Sequence, residues 1–313
     1  VYFNKVYDNF FRCLYNLEPN FTNDIDGQTE ARGFILDATM LLQAAVYLDA
    51  VNSIRVIVEA YLLRLNQTLW RHIAARPEAW VQLAARLQSP LIFREAMLHI
   101  IGKWHLKNAI NREVLTRDEF GVLGERIMEL VDRKNHDLKQ MKLTVERHLL
   151  EYYPDSMVHS LEKEGVVPGR IIFANDIYLW QALAMVRQYI TSAFERNDHH
   201  RSADGGLSFY RTLGSAEGTY ITQATVEAFH LSFEMSAKGR ACFNRALEVI
   251  KNEIKPILYP LLVDRSQATR EPDAPRFPYL TCTEIHDFEM PWYENVAPTP
   301  DAGDYGMGYG DEI

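Results

Sequence analysis

The chain has little that carries covalent chemistry. Only three cysteines occur in 313 residues, Cys13, Cys242 and Cys282, far apart and with no CxxC pair. That excludes a disulfide scaffold and a cysteine-rich zinc module, and it suits a reducing intracellular compartment, nucleus or cytoplasm. No apolar run approaches the roughly 20 residues needed to span a bilayer. No block of Lys and Arg stands out either: the net charge is −9, and GERIMELVDRKNHDLKQMK mixes both signs. Direct nucleic-acid binding, which follows clustered cations, is therefore not expected. Phosphate-loop and nucleophile-elbow signatures are missing too. GMGYG at 306–310 has no helical pattern after it to aim amides at an anion. GSAEG at 214–218 lacks the GxSxG spacing.

What is present is helix. Hydrophobic residues make up 47% and charged residues 24%, ordinary for a globular chain with a sizeable core. FILDATMLLQAAVYLDA is apolar nearly all round, which marks a helix buried on several sides. Ser53 is placed to cap IRVIVEAYLLRLNQ. LWRHIAA runs to Arg76, and Pro77 and Pro90 each restart a helix, because a first-turn residue has no intrahelical amide bond to lose. In LIFREAMLHIIG, residues Ile92, Phe93, Ala96, Met97, Ile100 and Ile101 form one stripe, and Gly102 is placed to end it. Five helices with short connectors, packed as antiparallel pairs, are expected over 34–104.

Further on, Phe120, Leu123, Ile127, Leu130, Leu138, Met141, Val145 and Leu149 keep a three-and-four spacing that Lys134 interrupts. This reads as an amphipathic helix or hairpin lying on the same domain rather than a coiled coil. EKEGVVPGRIIFAND is a loop with a short strand at Ile171 to Phe173. A helix follows in DIYLWQALAMVRQYITSAFERN, then the polar break DHHRSADGG. The last strong helix spans 236–262, with Pro256 and Pro260 kinking or ending it. From Asp264 the chain turns to proline and aromatics, an extended strap along the helical body. It closes on APTPDAGDYGMGYGDEI, acidic and glycine-rich, which is expected to be disordered.

The opening YDNFFRCLYNLEP, the polar loop NFTNDIDGQTEARG, and the run FILDATMLLQAAVYLDAVNSIRVIVEAYLLRL resemble the back half of a BTB/POZ domain. The pattern carrying the likeness is Leu41, Leu42, Ala45, Tyr47 and Leu48. LWRHIAARPEAWVQLAARLQSPLIFREAMLHIIGKW is similar to the helical, BACK-like extension of fungal BTB proteins. The resemblance covers about the first third of the chain. It implies a mainly α fold: the C-terminal part of a BTB/POZ domain over 1–65, an α-helical extension over 66–263, and the strap and tail over 264–313. The first half of that fold has no counterpart, so Val1 would fall inside the domain. It implies no enzyme but a scaffold or adaptor with protein partners, a homodimer through the missing half, and a cullin-type ubiquitin ligase or a nuclear regulatory complex around it. The expected partner surface is the 20–28 loop with an edge strand near Leu17, using Leu17, Phe21 and Ile25, together with Trp292 in the strap.

Two polar clusters stand beside this reading. Asp198, His199 and His200, with Asp204 close behind, offer metal-ligating atoms, though adjacent histidines on a loop seldom reach one ion. Glu284, His286, Asp287 and Glu289 alternate sides of an extended segment, which suits anchoring of the strap with Phe288 and Trp292 buried. No catalytic, cofactor-binding or metal-binding residue is assigned. The alternatives left open are an all-helical metal-dependent enzyme using Asp198, His199, His200 and His286, and a purely structural subunit clamped by the strap.

Overall fold

The computed structural model describes residues 2–21, 30–115, 121–155, 157, 170–215, 220–269 and 277–293. The described residues are mainly helical and contain no strand. The chain begins with α1 (Tyr2–Leu14), α2 (Glu30–Tyr47), α3 (Val51–Arg64), α4 (Gln67–Ala75), α5 (Pro77–Leu87) and α6 (Pro90–Lys103). Pro77 and Pro90 take first-turn positions, as their missing amides require. Between α5 and α6 the chain turns at Gln88, which is left-handed, and Ser89. Ser53 does not cap α3; the helix starts two residues earlier, after Ala50. Fully buried Leu41, Leu42, Ile54, Leu62, Trp80, Phe93 and Ile100 form the core of this half.

After the short α7 (Arg112–Leu115), α8 (Gly121–Glu151) is one continuous 31-residue helix, which settles the choice between helix and hairpin. Its buried face carries Ile127, Val131, Leu138, Val145 and Leu149, and also Lys134, Lys142 and Glu146. Lys134 does not interrupt the stripe. It stays on the buried face and meets a carboxylate there, as described below. α8 packs on α6 and α7 of the first half and on the last helix of the second.

The second half holds α9 (Arg170–Glu195), α10 (Leu207–Gly214), α11 (Gln223–Ser232), α12 (Ala237–Glu253) and α13 (Lys255–Leu262). The expected strand at 171–173 is the first turn of α9 instead. A three-residue apolar run cannot separate strand from buried helix, and here the helical pattern beyond it prevails. The single helix expected over 236–262 is two helices with a junction at Ile254, and Pro256 sits in the first turn of α13. Ser236 caps α12, accepting the Gly239 amide at 3.2 Å. α9 packs along α12, and α10 along α13, around Phe243, Leu247 and Leu258.

Beyond α13 the described chain is extended, apart from a single 3₁₀ turn at Asp287–Glu289. It is fixed to α6 and α8 by polar side chains. Glu95, in the buried face of α6, accepts the Ser266 hydroxyl at 2.6 Å and the Gln267 amide at 2.9 Å. His99 Nε2 lies 3.0 Å from Glu95, and its Nδ1 lies 3.0 Å from the Tyr279 hydroxyl. A carboxylate only accepts, so Nε2 carries the proton and Tyr279 donates to Nδ1. Arg94 reaches the Ile285 carbonyl at 3.1 Å, and Arg126 reaches that of Pro291 at 2.9 Å. Gly102 does not end α6, which continues to Lys103. Its lack of a Cβ lets the strap pass: a methyl there would lie 2.5 Å from the Leu280 carbonyl oxygen and 2.5 Å from the Tyr279 ring.

No helix among the described residues is long and apolar enough to cross a membrane.

Candidate functional site

Three places gather functional groups: an apolar groove in the second half, a polar node on α8, and a cleft beside the strap. The groove lies between α9 and α11, with a volume of about 810 Å³. Met185 and Tyr189 line it from α9, Phe229 and Phe233 from the end of α11, and Tyr220 and Ile221 from the segment leading into α11. Among the described residues no charged side chain lines it. Phe233 is 59% exposed, while Phe229 stacks on the buried Phe243 ring at 5.4 Å, so one aromatic is fixed and the other is presented.

Its far wall is held under strain. Ile221 has φ of 49°, a conformation that β-branched residues rarely adopt and that costs about 1–3 kcal/mol. Lys251 offsets this by donating to the Tyr220 and Ile221 carbonyls at 2.7 and 3.1 Å while lying over the Tyr220 ring. Thr222 then caps α11. The outcome is a buried Tyr220 whose hydroxyl has no hydrogen-bond partner among the described residues, with Gln181 Oε1 likewise unpartnered in the lining of the groove. Burial pushes the Tyr220 phenol well above its usual range, so it stays a neutral donor. Chemically, the groove can take up large apolar side chains.

The node on α8 centres on Glu146. Its Oε1 accepts the Tyr210 hydroxyl at 2.6 Å and the His200 amide at 3.0 Å, and its Oε2 lies 2.6 Å from His200 Nδ1. The 198–206 loop that brings these groups in closes on two left-handed glycines. Gly205 and Gly206 have φ of 64° and 88°, and a Cβ on Gly206 would lie 2.7 Å from the Tyr210 ring. Asp204 ties the turn to α10, accepting the Ser208 amide at 2.8 Å and the Gly206 amide at 3.0 Å. Burial would raise its pKa, but these bonds and the Ser202 hydroxyl hold it down at about 2. His199 is buried beside Phe194, and burial keeps its imidazole below the usual value.

The cleft beside the strap, about 330 Å³, is lined by charges that neutralise one another. Arg265 pairs with Glu284 at 2.8 Å, and Arg94 pairs with Asp287.

The expected partner residues do not converge. Leu17 is 52% exposed but is not on a strand edge, because the backbone beside it is occupied. Asn9 receives the Asn20 amide at 2.6 Å and donates to its carbonyl at 3.2 Å, and Arg12 takes the Glu18 carbonyl at 2.8 Å. Phe21 is a core plug, edge-on to Phe34 and Tyr61. Ile25 lies outside the described residues. Trp292 is half-buried, edge-on to Phe93 at 5.2 Å, whereas Phe288, expected to be buried, is 72% exposed. Asp198 pairs with Arg196 at 2.8 Å and stays apart from the group that brings His199 and His200 to Glu146. His286 belongs to the strap cleft. Glu146 and the groove were missed in the sequence. The FHLSF aromatics at 229 and 233, four residues apart with Leu231 exposed between them, were the available signal.

No curated protein and no solved structure matches the chain. A family model described as an FF domain, in its fungal form, matches residues 154–260, roughly a third of the chain. This overturns the BTB/POZ and BACK-like resemblance: the recognised domain is a different helical one, and no described residue near Leu17 forms the edge strand that resemblance implied. The groove and His199, His200 and Tyr210 of the polar node thus fall in the part of the chain that is similar to an FF domain.

Proposed function

We propose that the chain acts by binding a protein partner through the groove between α9 and α11, and that it carries out no bond chemistry. FF domains are in general protein–protein interaction modules, and the groove lies within the FF-like segment. The observation that carries the reading is the aromatic-lined groove, with no charged side chain among its described lining residues. The occupant is therefore a short peptide segment presenting two or three large apolar side chains on one face. An acidic or phosphorylated segment is disfavoured, since no cation lines the groove among the described residues.

The homodimer and cullin expectations rested on the BTB resemblance and go with it. Three free thiols suit an intracellular setting for the complex.

The test compares full-length wild-type chain with Ala184→Glu and Phe233→Ala in affinity purification with mass spectrometry. Peptides tiled from each captured protein are then assayed on the purified chain. Ala184 and Phe233 are exposed in the lining, so both variants should stay folded. Loss of at least tenfold in affinity for an apolar peptide in both variants, with Leu17→Asp unaffected, supports the reading. Equal affinity in all four proteins overturns it.

A further inference from the structure

Glu146, His199 and His200 meet in a way that hydrogen bonding alone does not complete. Each offers one ligand atom, and these atoms all lie within 4.8 Å of one another. Glu146 and His199 are buried, and His200 is nearly so. His199 Nδ1 is buried and has no partner among the described residues, although its ring is wedged between Phe194 and His200 at 4.8 and 4.5 Å. A nitrogen lone pair or N–H left unsatisfied in a dry site is costly, and the His199 ring offers a ligand atom within 4.8 Å of those of a carboxylate and a second imidazole.

We propose that these three side chains form a binding site for a divalent transition metal of the zinc class, closing the 198–206 loop onto α8. Two imidazoles and one carboxylate are a ligand set that zinc accepts, with a fourth position left to water. Tetrahedral ligands at about 2.0–2.1 Å from an ion are roughly 3.4 Å apart. The His200–Glu146 pair, 2.6 Å apart, therefore opens slightly, while His199 closes in. On binding, His200 carries its proton on Nε2, and its Nδ1 lone pair turns to the metal. Glu146 keeps its orientation, because its other oxygen remains held by the Tyr210 hydroxyl and the His200 amide. Such outer bonds fix a ligating carboxylate in place. Asp198 takes no part, being paired with Arg196.

The proposal is independent of the groove: the same residues without a metal would simply staple the loop to α8. The experiment uses full-length chain stripped with chelator and then titrated with Zn²⁺ and, separately, Co²⁺. Expected are one equivalent of zinc retained after gel filtration, a visible absorption of tetrahedral cobalt, and a thermal midpoint that rises with zinc. His199→Ala removes a ring whose Nδ1 makes no hydrogen bond, so it should remain folded, and it should lose zinc affinity at least tenfold. Glu146→Gln should do likewise, while Asp198→Ala and His286→Ala should bind as wild type does. No stoichiometric zinc in the wild-type chain would overturn the proposal, as when a buried water is the partner of His199. So would undiminished binding in His199→Ala.

Discussion

Lys134, halfway along α8, is buried and places its ammonium 2.7 Å from Glu289 in the 3₁₀ turn of the strap, 155 residues later in the chain. Arg133 supports the same carboxylate at 3.4 Å. Burial would raise the Glu289 pKa, but the His286 amide and the two cations outweigh it and hold the carboxyl below its usual range. Lys134→Met leaves this anion only Arg133 and the His286 amide, and should cost about 3 kcal/mol, the typical cost of breaking a buried pair. Lys134→Met with Glu289→Gln should recover most of it. Urea unfolding of the four proteins of this cycle gives the coupling; additive losses would show that the pair does not hold the strap.

Gly102→Ala puts a methyl into the path of the strap, against the Leu280 carbonyl and the Tyr279 ring. Neither can yield cheaply, because Tyr279 is buried and bonded to His99. A loss of about 2 kcal/mol is expected, in the range of overpacked cores. Faster proteolytic cleavage within 264–293 should accompany it. A neutral result would mean that the strap does not press on α6.

Acid should loosen the molecule at two defined carboxyls besides Glu289. Asp204, at about 2 in the fold, lies below its ordinary value of 3.8. A depressed folded pKa means that its stabilisation is complete above about pH 4 and is lost as pH falls towards 2. Burial would raise Glu95, yet its bonds from His99, Ser266 and Gln267 hold it below the usual range, with the same sign. The urea midpoint should therefore fall between pH 5 and 2, less steeply in Asp204→Asn. A midpoint flat over that interval would refute the assignment.

Thiol chemistry should single out Cys242. Cys13 and Cys282 are buried, and desolvation pushes each up to about 11, so thiolate is scarce at pH 8. Cys242 is only half-buried. Iodoacetamide labelling of native chain followed by peptide mapping should find Cys242 modified first, by at least tenfold. Comparable rates at all three would contradict the packing.

Local signals were readable before the fold was known. Pro77 and Pro90 marked helix starts because their rule involves only the first turn. Where a residue acts on a distant partner, the sequence misled. Lys134 looked like a break and Gly102 like a stop, because the Glu289 carboxylate and the Tyr279 ring that explain them lie more than 150 residues away. The histidine pair was visible in DHHRSADGG, but its third member, Glu146, comes from another helix. Of the groove, only FHLSF is visible in the sequence; its strained wall at Ile221 leaves no mark there.

Glu95 and His99 sit in α6, yet the Ser266, Gln267 and Tyr279 groups that satisfy them are made more than 165 residues later. During translation the first six helices would leave the ribosome carrying in their interior an acid whose only partner among their described residues is His99. Their docking is thus delayed until the strap beyond residue 264 has been made, and a nonsense codon ahead of residue 264 would condemn the N-terminal half along with the part it deletes.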